Sequence, residues 1–206
     1  MLRRIVSIEG NIGAGKTTLV QHLVRSVPHC VALHEPVTTN PYLERFYAEP
    51  HRWALPTQLW LLKQRFRTYQ AALKTLSGSE PTLVVLDRSV WSDWVFAKQA
   101  HVDGFISDAQ FDWYLRLRGR IAERCSVAPL AVVWLDVSPA ECLHRVHHVR
   151  KRPYEQAISL AYLEGLDRHY ADFFADMHTR RGVPLLRFDW NQYGDRDHVA
   201  RAIQSL

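Results

Sequence analysis

The chain has 206 residues, 47% of them apolar, with 26 Lys and Arg against 21 Asp and Glu for a formal charge of +5. That length suits a single α/β domain, residues 1–206, with its own core and no need of a disulfide or metal staple. The three cysteines, Cys30, Cys125 and Cys142, are odd in number and share no metal-ligand spacing, so free thiols in a reducing compartment are expected. No apolar run is long enough to cross a bilayer, and the first strand starts at once, leaving no room for a signal peptide. No membrane partner is expected, and the expected location is the cytosol or, as a mature form, an organelle. Much of the positive charge lies between Arg145 and Arg152 and does not alternate with aromatics along a face, so no nucleic-acid partner is expected.

Residues Arg3 to Ile8 form an apolar run that reads as a buried parallel strand. It leads directly into Gly10-Asn11-Ile12-Gly13-Ala14-Gly15-Lys16-Thr17, a complete phosphate-binding loop followed by Thr18. The glycines let backbone amides turn toward phosphate oxygens, Lys16 adds a point charge, and the Thr17 hydroxyl suits Mg²⁺. The next helix, from Lys16, adds the positive end of its dipole and places Leu19, Val20, Leu23, Val24 and Val27 on one face. ATP and Mg²⁺ are therefore the expected donor and metal. A second short strand, Val31 to Leu33, ends at Glu35-Pro36.

From Leu55 to Leu76 the spacing of Leu55, Leu59, Leu62, Phe66, Tyr69, Leu73 and Leu76 predicts a long helix with a continuous core stripe. Gln58, Leu61 and Arg65 lie beside that stripe, and Gln58 and Arg65, seven residues apart, project at nearly the same angle. Such a polar pair suggests a pocket wall. A third strand, Thr82 to Leu86, ends at Asp87-Arg88-Ser89, and Ser107 with Gln110 marks a capped helix start. The fourth strand, Leu130 to Asp136, leads to a second capped start at Ser138, Pro139 and Glu141. The basic segment from about 144 to 156 follows, and Pro184 to Phe188 is the fifth strand, ending at Asp189. The pattern predicts a three-layer α/β/α fold of the P-loop kinase type, with a five-stranded parallel sheet and a short basic lid.

Ligands of an open parallel sheet bind outside the carboxyl ends of its strands, and those ends carry the chemistry of phosphoryl transfer. That reaction needs a triphosphate cradle, a metal anchor, charge over the moving phosphoryl group and a base for the acceptor hydroxyl. Glu35 is the candidate base, with Pro36 fixing the backbone behind it. Asp87 suits the metal beside Thr17, and Arg88 suits a role steadying Glu35 and the acceptor oxygen. Arg145, Arg150 and Arg152 fit a mobile lid that closes over the phosphates. His144, His147 and His148 crowd the same segment without companion carboxylates or cysteines in metal spacing.

These residues together resemble the deoxynucleoside kinase family, which includes deoxycytidine, deoxyguanosine and bacterial deoxyadenosine kinases. The resemblance runs over nearly the whole chain. It rests on the loop at 10–17, Glu35-Pro36-Val37, Asn40-Pro41-Tyr42-Leu43, Phe46-Tyr47, Arg52-Trp53-Ala54, Gln58, Asp87-Arg88-Ser89, Asp93, Phe96-Ala97 and Arg150 to Glu155. It implies Glu35 as base on the 5′-hydroxyl with Arg88 beside it, and Lys16 with the lid arginines on the phosphates. Tyr47 and Glu155 match a pair holding the sugar 3′-hydroxyl, Gln58 an amide that reads the base edge, Phe96 a stacking ring, and Arg65 with Asp93 a charged pair near the base. A carboxylate at Asp93 suits an exocyclic amine and repels the 4-carbonyl of thymine, which favours deoxyadenosine, deoxyguanosine or deoxycytidine over thymidine. The Asn-Pro-Tyr-Leu stretch and short length resemble bacterial purine enzymes. A homodimer packed through helices between Trp91 and Cys125 is also implied.

Two positions depart from the family pattern: Asp87 stands where animal members have glutamate, and Lys151 stands where a glycine is usual between the lid arginines. Alternative readings are a nucleoside monophosphate kinase such as thymidylate kinase, or a non-catalytic nucleotide-binding subunit. Glu35 opposes the first, since a carboxylate would repel an acceptor phosphate. Retention of Lys16, Glu35, Asp87 and Arg88 opposes the second.

Overall fold

Runs of Ile, Val and Leu without polar alternation are suited to strands covered on both faces, and five such runs build the centre of this protein. A computed structural model describes residues 4–34, 39–78 and 82–206. Strands β1 (Arg4–Glu9), β2 (Cys30–Leu33), β3 (Leu83–Asp87), β4 (Ala131–Asp136) and β5 (Leu185–Asp189) form one parallel sheet in the order β2-β3-β1-β4-β5. Three of them, β1, β3 and β5, end one residue later than their apolar runs, on Glu9, Asp87 and Asp189. Backbone pairing is indifferent to side-chain polarity, so the ladder continues one step past the hydrophobic signal.

Register decides what meets at the carboxyl edge. Ile8 pairs with Asp87 across β1 and β3, Leu33 with Leu86 across β2 and β3, and Glu9 with Trp134 across β1 and β4. The Arg88 amide then donates to the Ile8 carbonyl at 3.1 Å, which extends the β1–β3 ladder into the loop. The phosphate loop, Asp87 and Arg88 therefore leave the sheet side by side.

The helices are α1 (Lys16–Ser26), α2 (Leu43–Ala48), α3 (Pro50–Thr75), α4 (Trp94–Val102), α5 (Asp108–Glu123), α6 (Pro139–His144), α7 (Leu160–Ala175) and α8 (Arg196–Gln204). Helix α1 packs on β1, β2 and β3 with α8 beside it, α3 packs on β3, α4 and α5, and α7 contacts α4 and α6. Leu19, Val20 and Leu23 of α1 are wholly buried, each worth about 1.5–3 kcal/mol relative to exposure. Val24, expected on the same face, is 42% exposed and sits at its edge.

The buried stripe of α3 is rotated from its predicted position. Ala54, Thr57, Gln58, Leu61, Leu62, Arg65, Tyr69 and Ala72 are buried, while Leu55, Leu59, Phe66 and Leu73 are half-buried. The helix turns its polar pair inward because Gln58 and Arg65 face a cavity, and Leu55, Leu59, Phe66 and Leu73 take the flank while Leu62 and Tyr69 stay buried. The Ser107 cap forms both bonds of a capping box, from Gln110 N at 3.4 Å and from Ser107 N to Gln110 Oε1 at 2.9 Å. At α6, Ser138 accepts from Glu141 N at 3.3 Å, but the Glu141 carboxylate turns to Arg145 Nε at 2.8 Å.

Helices α4 and α7 approach closely at Gly165, where an added methyl would lie 2.0 Å from Gln99 Oε1. Gly119 in α5 has nothing within 4 Å of the same position. Gly165→Ala is expected to destabilise the protein by about 1–3 kcal/mol through overpacking. Gly119→Ala is expected to stabilise it by about 0.5–1 kcal/mol through helix propensity. Urea denaturation midpoints at constant slope measure both, and equal shifts of the same sign would refute the distinction.

Candidate active site

The loop between β1 and α1 takes its shape from positions where only glycine is comfortable. Gly13 has φ of +82°, and a Cβ there would lie 2.7 Å from the Cys142 carbonyl oxygen, so the loop rests directly on the backbone of α6. Asn11 is a strut: its Nδ2 donates to Leu163 O at 2.8 Å and its Oδ1 accepts from Ile12 N at 2.8 Å. Gly10, Asn11 and Ala14 support the loop from behind, whereas Ile12, Gly13, Gly15, Lys16, Thr17 and Thr18 line a cavity of about 480 Å³. Lys16 Nζ donates to the carbonyls of Gly10 at 3.1 Å and Asn11 at 2.7 Å, curled over its own loop.

Thr17 Oγ1 donates to Asp87 Oδ2 at 2.7 Å. A hydroxyl and a carboxylate oxygen at the mouth of a phosphate loop are the hard oxygen donors that Mg²⁺ takes, so the residues present fit that ion. Beneath them lies Glu9, fully buried, whose Oε1 accepts from Ser7 and Ser89 at 2.6 Å each. Burial raises its pKa, opposed by those two hydroxyls and by Arg88. Arg88 has φ of +68°, a left-handed conformation that costs a non-glycine residue about 1–2 kcal/mol. That turn sets its guanidinium 4.6 Å from the Phe96 ring centroid.

Opposite the loop, the same cavity is walled by Tyr47 of α2, Gln58 and Arg65 of α3, Phe96 of α4, and Glu155. Gln58 is 2% exposed and its Oε1 has no hydrogen-bond partner among the described residues. Tyr47 has its pKa held well above the usual phenol value by burial, with Tyr162 and Glu155 adding to it. Glu35 lies outside the described residues, but His34, which precedes it, lines the cavity.

One cavity is thus lined both by the phosphate loop and by Tyr47, Gln58, Arg65 and Phe96. A model described as deoxynucleoside kinase matches residues 6–205. The chain belongs to the deoxynucleoside kinase family. It is 43% identical over 202 residues to a deoxyguanosine kinase of Dictyostelium discoideum, covering 98% of this chain and 69% of that protein. It is 32% identical to a deoxyadenosine kinase of the same organism, covering 97% and 78%. In fold it is similar to a deoxyadenosine kinase from M. mycoides solved with bound dCTP, with a TM-score of 0.83 at 21% identity over 98% of this chain and all of the other. The chain has the P-loop kinase fold, and it transfers a phosphoryl group to a deoxynucleoside.

In this kinase Asp93 does not line the cavity. It is fully buried, its Oδ1 accepting from Arg65 Nη1 and its Oδ2 from the Tyr114 hydroxyl. Burial raises its pKa, opposed chiefly by Arg65. The carboxylate expected to meet an exocyclic amine is instead engaged behind Arg65, and Arg65 is the group at the wall.

The lid also differs in part from its expected form. Arg145 is not at a mobile position: it is 2% exposed, donates to Trp190 O at 2.9 Å and Asn191 O at 2.7 Å, and stacks 3.9 Å from the Tyr193 ring centroid. Residues Arg145–Arg150 form a π-helical turn, and Arg150 and Arg152 reach Glu155 Oε1 at 3.0 and 3.3 Å. Sequence reasoning missed Glu9, Tyr162 and Tyr193. The last follows β5 and lines the cavity, and its only sequence signal is a place after a strand end.

Lys151 closes the π-helical turn with φ of +51° and ψ of +38°. That left-handed conformation accounts for the glycine usual there. Lys151→Gly is expected to stabilise the lid by about 1 kcal/mol through relief of the side-chain clash, seen as slower amide exchange over 145–157 in hydrogen-exchange mass spectrometry. Faster exchange across that segment would contradict it.

Proposed function

We propose that this kinase transfers the γ-phosphoryl group of ATP to the 5′-hydroxyl of a purine deoxynucleoside, deoxyguanosine foremost, in nucleotide salvage. The observation that supports the reading is that Gln58 and Arg65 line the same cavity as the phosphate loop. The identity of 43% to a deoxyguanosine kinase supports the purine, as does a guanidinium that offers only donors to the base.

In this reading Lys16 and the loop amides hold the donor phosphates, and Arg145 with Tyr193 forms a platform beside the donor base. Thr17 and Asp87 would hold Mg²⁺, which when bound neutralises charge on the β- and γ-phosphates. Glu35 accepts the 5′-hydroxyl proton, and Arg88 steadies Glu35 and the acceptor oxygen. Tyr47 and Glu155 hold the sugar 3′-hydroxyl, the tyrosine also crowding any 2′-hydroxyl, and Phe96 stacks on the base. Arg150 and Arg152, seen on Glu155, supply charge to the phosphates when the lid closes.

A homodimer packed through α4 and α5 accords with α5 carrying exposed apolar side chains on either side of buried Tyr114, Trp113 at 43% and Leu115 at 39%. Burial pushes the Cys30 and Cys125 thiols up to about 11 and Cys142 up to about 12, which accords with unreactive thiols in the cytoplasm.

Glu35→Gln keeps the shape of the side chain and removes the base. Turnover with deoxyguanosine is expected to fall about 10²–10⁴-fold while the nucleoside still binds in calorimetry. Undiminished turnover would dismiss Glu35 as base, and turnover of deoxyguanylate or thymidylate with no deoxynucleoside activity would dismiss the reading.

A further inference from the structure

The last residue of β1 carries a charge that takes no part in the chemistry proposed for the cavity. Glu9 is fully buried at the root of the phosphate loop, on the same face of β1 as Ser7, whose hydroxyl donates to its Oε1 at 2.6 Å. Its Oε2 has no hydrogen-bond partner among the described residues. A carboxylate so placed costs desolvation that an apolar side chain would not, and core packing alone does not account for it. What it holds lies on the neighbouring strand.

The Ser89 hydroxyl donates to the same Glu9 oxygen at 2.6 Å. Ser89 Oγ in turn accepts from the Ser92 amide at 3.4 Å, and the Ser92 hydroxyl donates to Ser89 O at 3.2 Å. The turn from β3 into α4 thereby hangs on Glu9. Within that turn stands Arg88, at φ of +68°, a left-handed conformation that a non-glycine residue keeps only where its surroundings impose it. Its amide is tied to Ile8 O at 3.1 Å on one side, and the residue after it is tied to Glu9 on the other. Both ties run to the strand end that starts the phosphate loop. The angle at Arg88 decides where its side chain leaves the backbone, and that side chain is buried and lines the cavity.

We propose that Glu9 is a positioning residue for phosphoryl transfer: through Ser89 it holds the left-handed turn that presents Arg88 to the acceptor oxygen. This rests on the reading that places Arg88 at that oxygen. Ser7 and Ser89 supply the contrast that tests it, because each gives the same carboxylate oxygen one bond of 2.6 Å and only Ser89 belongs to the turn. With ATP and the deoxynucleoside that the intact chain turns over fastest, kcat per folded enzyme is expected to fall about tenfold in Ser89→Ala and to stay within about twofold in Ser7→Ala, with KM for ATP unchanged in both. Each substitution deletes one buried hydrogen bond, so a purely structural role would move both kcat values alike or neither. Glu9→Gln is expected to lower kcat as far as Ser89→Ala does, and the two combined no further than either, since they break one link. Equal kcat in the two serine variants overturns the inference, as does a double variant whose losses multiply. If Ser89→Ala does not fold, Glu9→Gln takes its place against Ser7→Ala, with the same two outcomes. Arg88→Lys separates the two levels of the argument. Unmoved kcat there overturns the role of Arg88 and this inference with it, whereas a fall there with Ser89→Ala unmoved overturns this inference alone.

Discussion

The pairing of Ile8 with Asp87 across β1 and β3 is the constraint on which the site depends. Parallel strands in register release their chains at one level, so the phosphate loop and the Asp87-Arg88 turn start side by side. The Thr17–Asp87 hydrogen bond at 2.7 Å follows from that alignment. A slip of one residue would turn the β3 side chains to the opposite face, placing Arg88 where Asp87 stands. The sheet sets this register through wholly apolar neighbours, Ile5, Val6, Val84 and Val85, all fully buried. Core packing, together with the backbone ladder that the Arg88 amide extends to the Ile8 carbonyl, thereby fixes the distance between the two oxygens.

The two ends of the cavity are built differently. At the donor end, precision comes from backbone: a glycine lies against the Cys142 carbonyl, and Asn11 ties the loop to α7. At the wall where Arg65 lies it comes from side chains, Arg65 of α3, Asp93 at the cap of α4, and Tyr114 and Arg118 of α5. A buried ion pair is weak as a source of stability, since desolvation offsets its attraction, yet removal of one partner costs about 3–5 kcal/mol. Such a network resists piecemeal change. Backbone cradles suit a triphosphate common to many enzymes, whereas side-chain readers suit an acceptor that differs between relatives.

Much of the fold was legible because strand signals are local. Five apolar runs became five strands, with ends displaced by about a residue where pairing continued onto charged side chains. The face of α3 was less legible: its leucine stripe is the stronger periodic signal, but Gln58 and Arg65 take the buried side because a cavity, which periodicity does not encode, lies there. The resemblance puts Asp93 near the base, and no local pattern marks the side chain that holds its second oxygen, Tyr114, twenty-one positions later on another helix. The glycine missing between Arg150 and Arg152 was visible in sequence, but its meaning, a left-handed residue ending a π-helical turn, needed the backbone angles.

The lid shows how the same segment serves two demands. Arg145 at its start is fixed by carbonyls of the β5–α8 connection and by Tyr193, and Ile158 at its end is 3% exposed. The stretch between them is less tied down, with Val149 64% exposed and Lys151 at a strained angle. A free basic loop would repel itself and wander. Here Glu155, whose Oε1 meets both Arg150 and Arg152, draws the two cations to a common point on the cavity wall, and burial that lowers the Arg150 pKa is opposed first by that same carboxylate. That attraction keeps both cations on the wall of the cavity that the phosphate loop also lines.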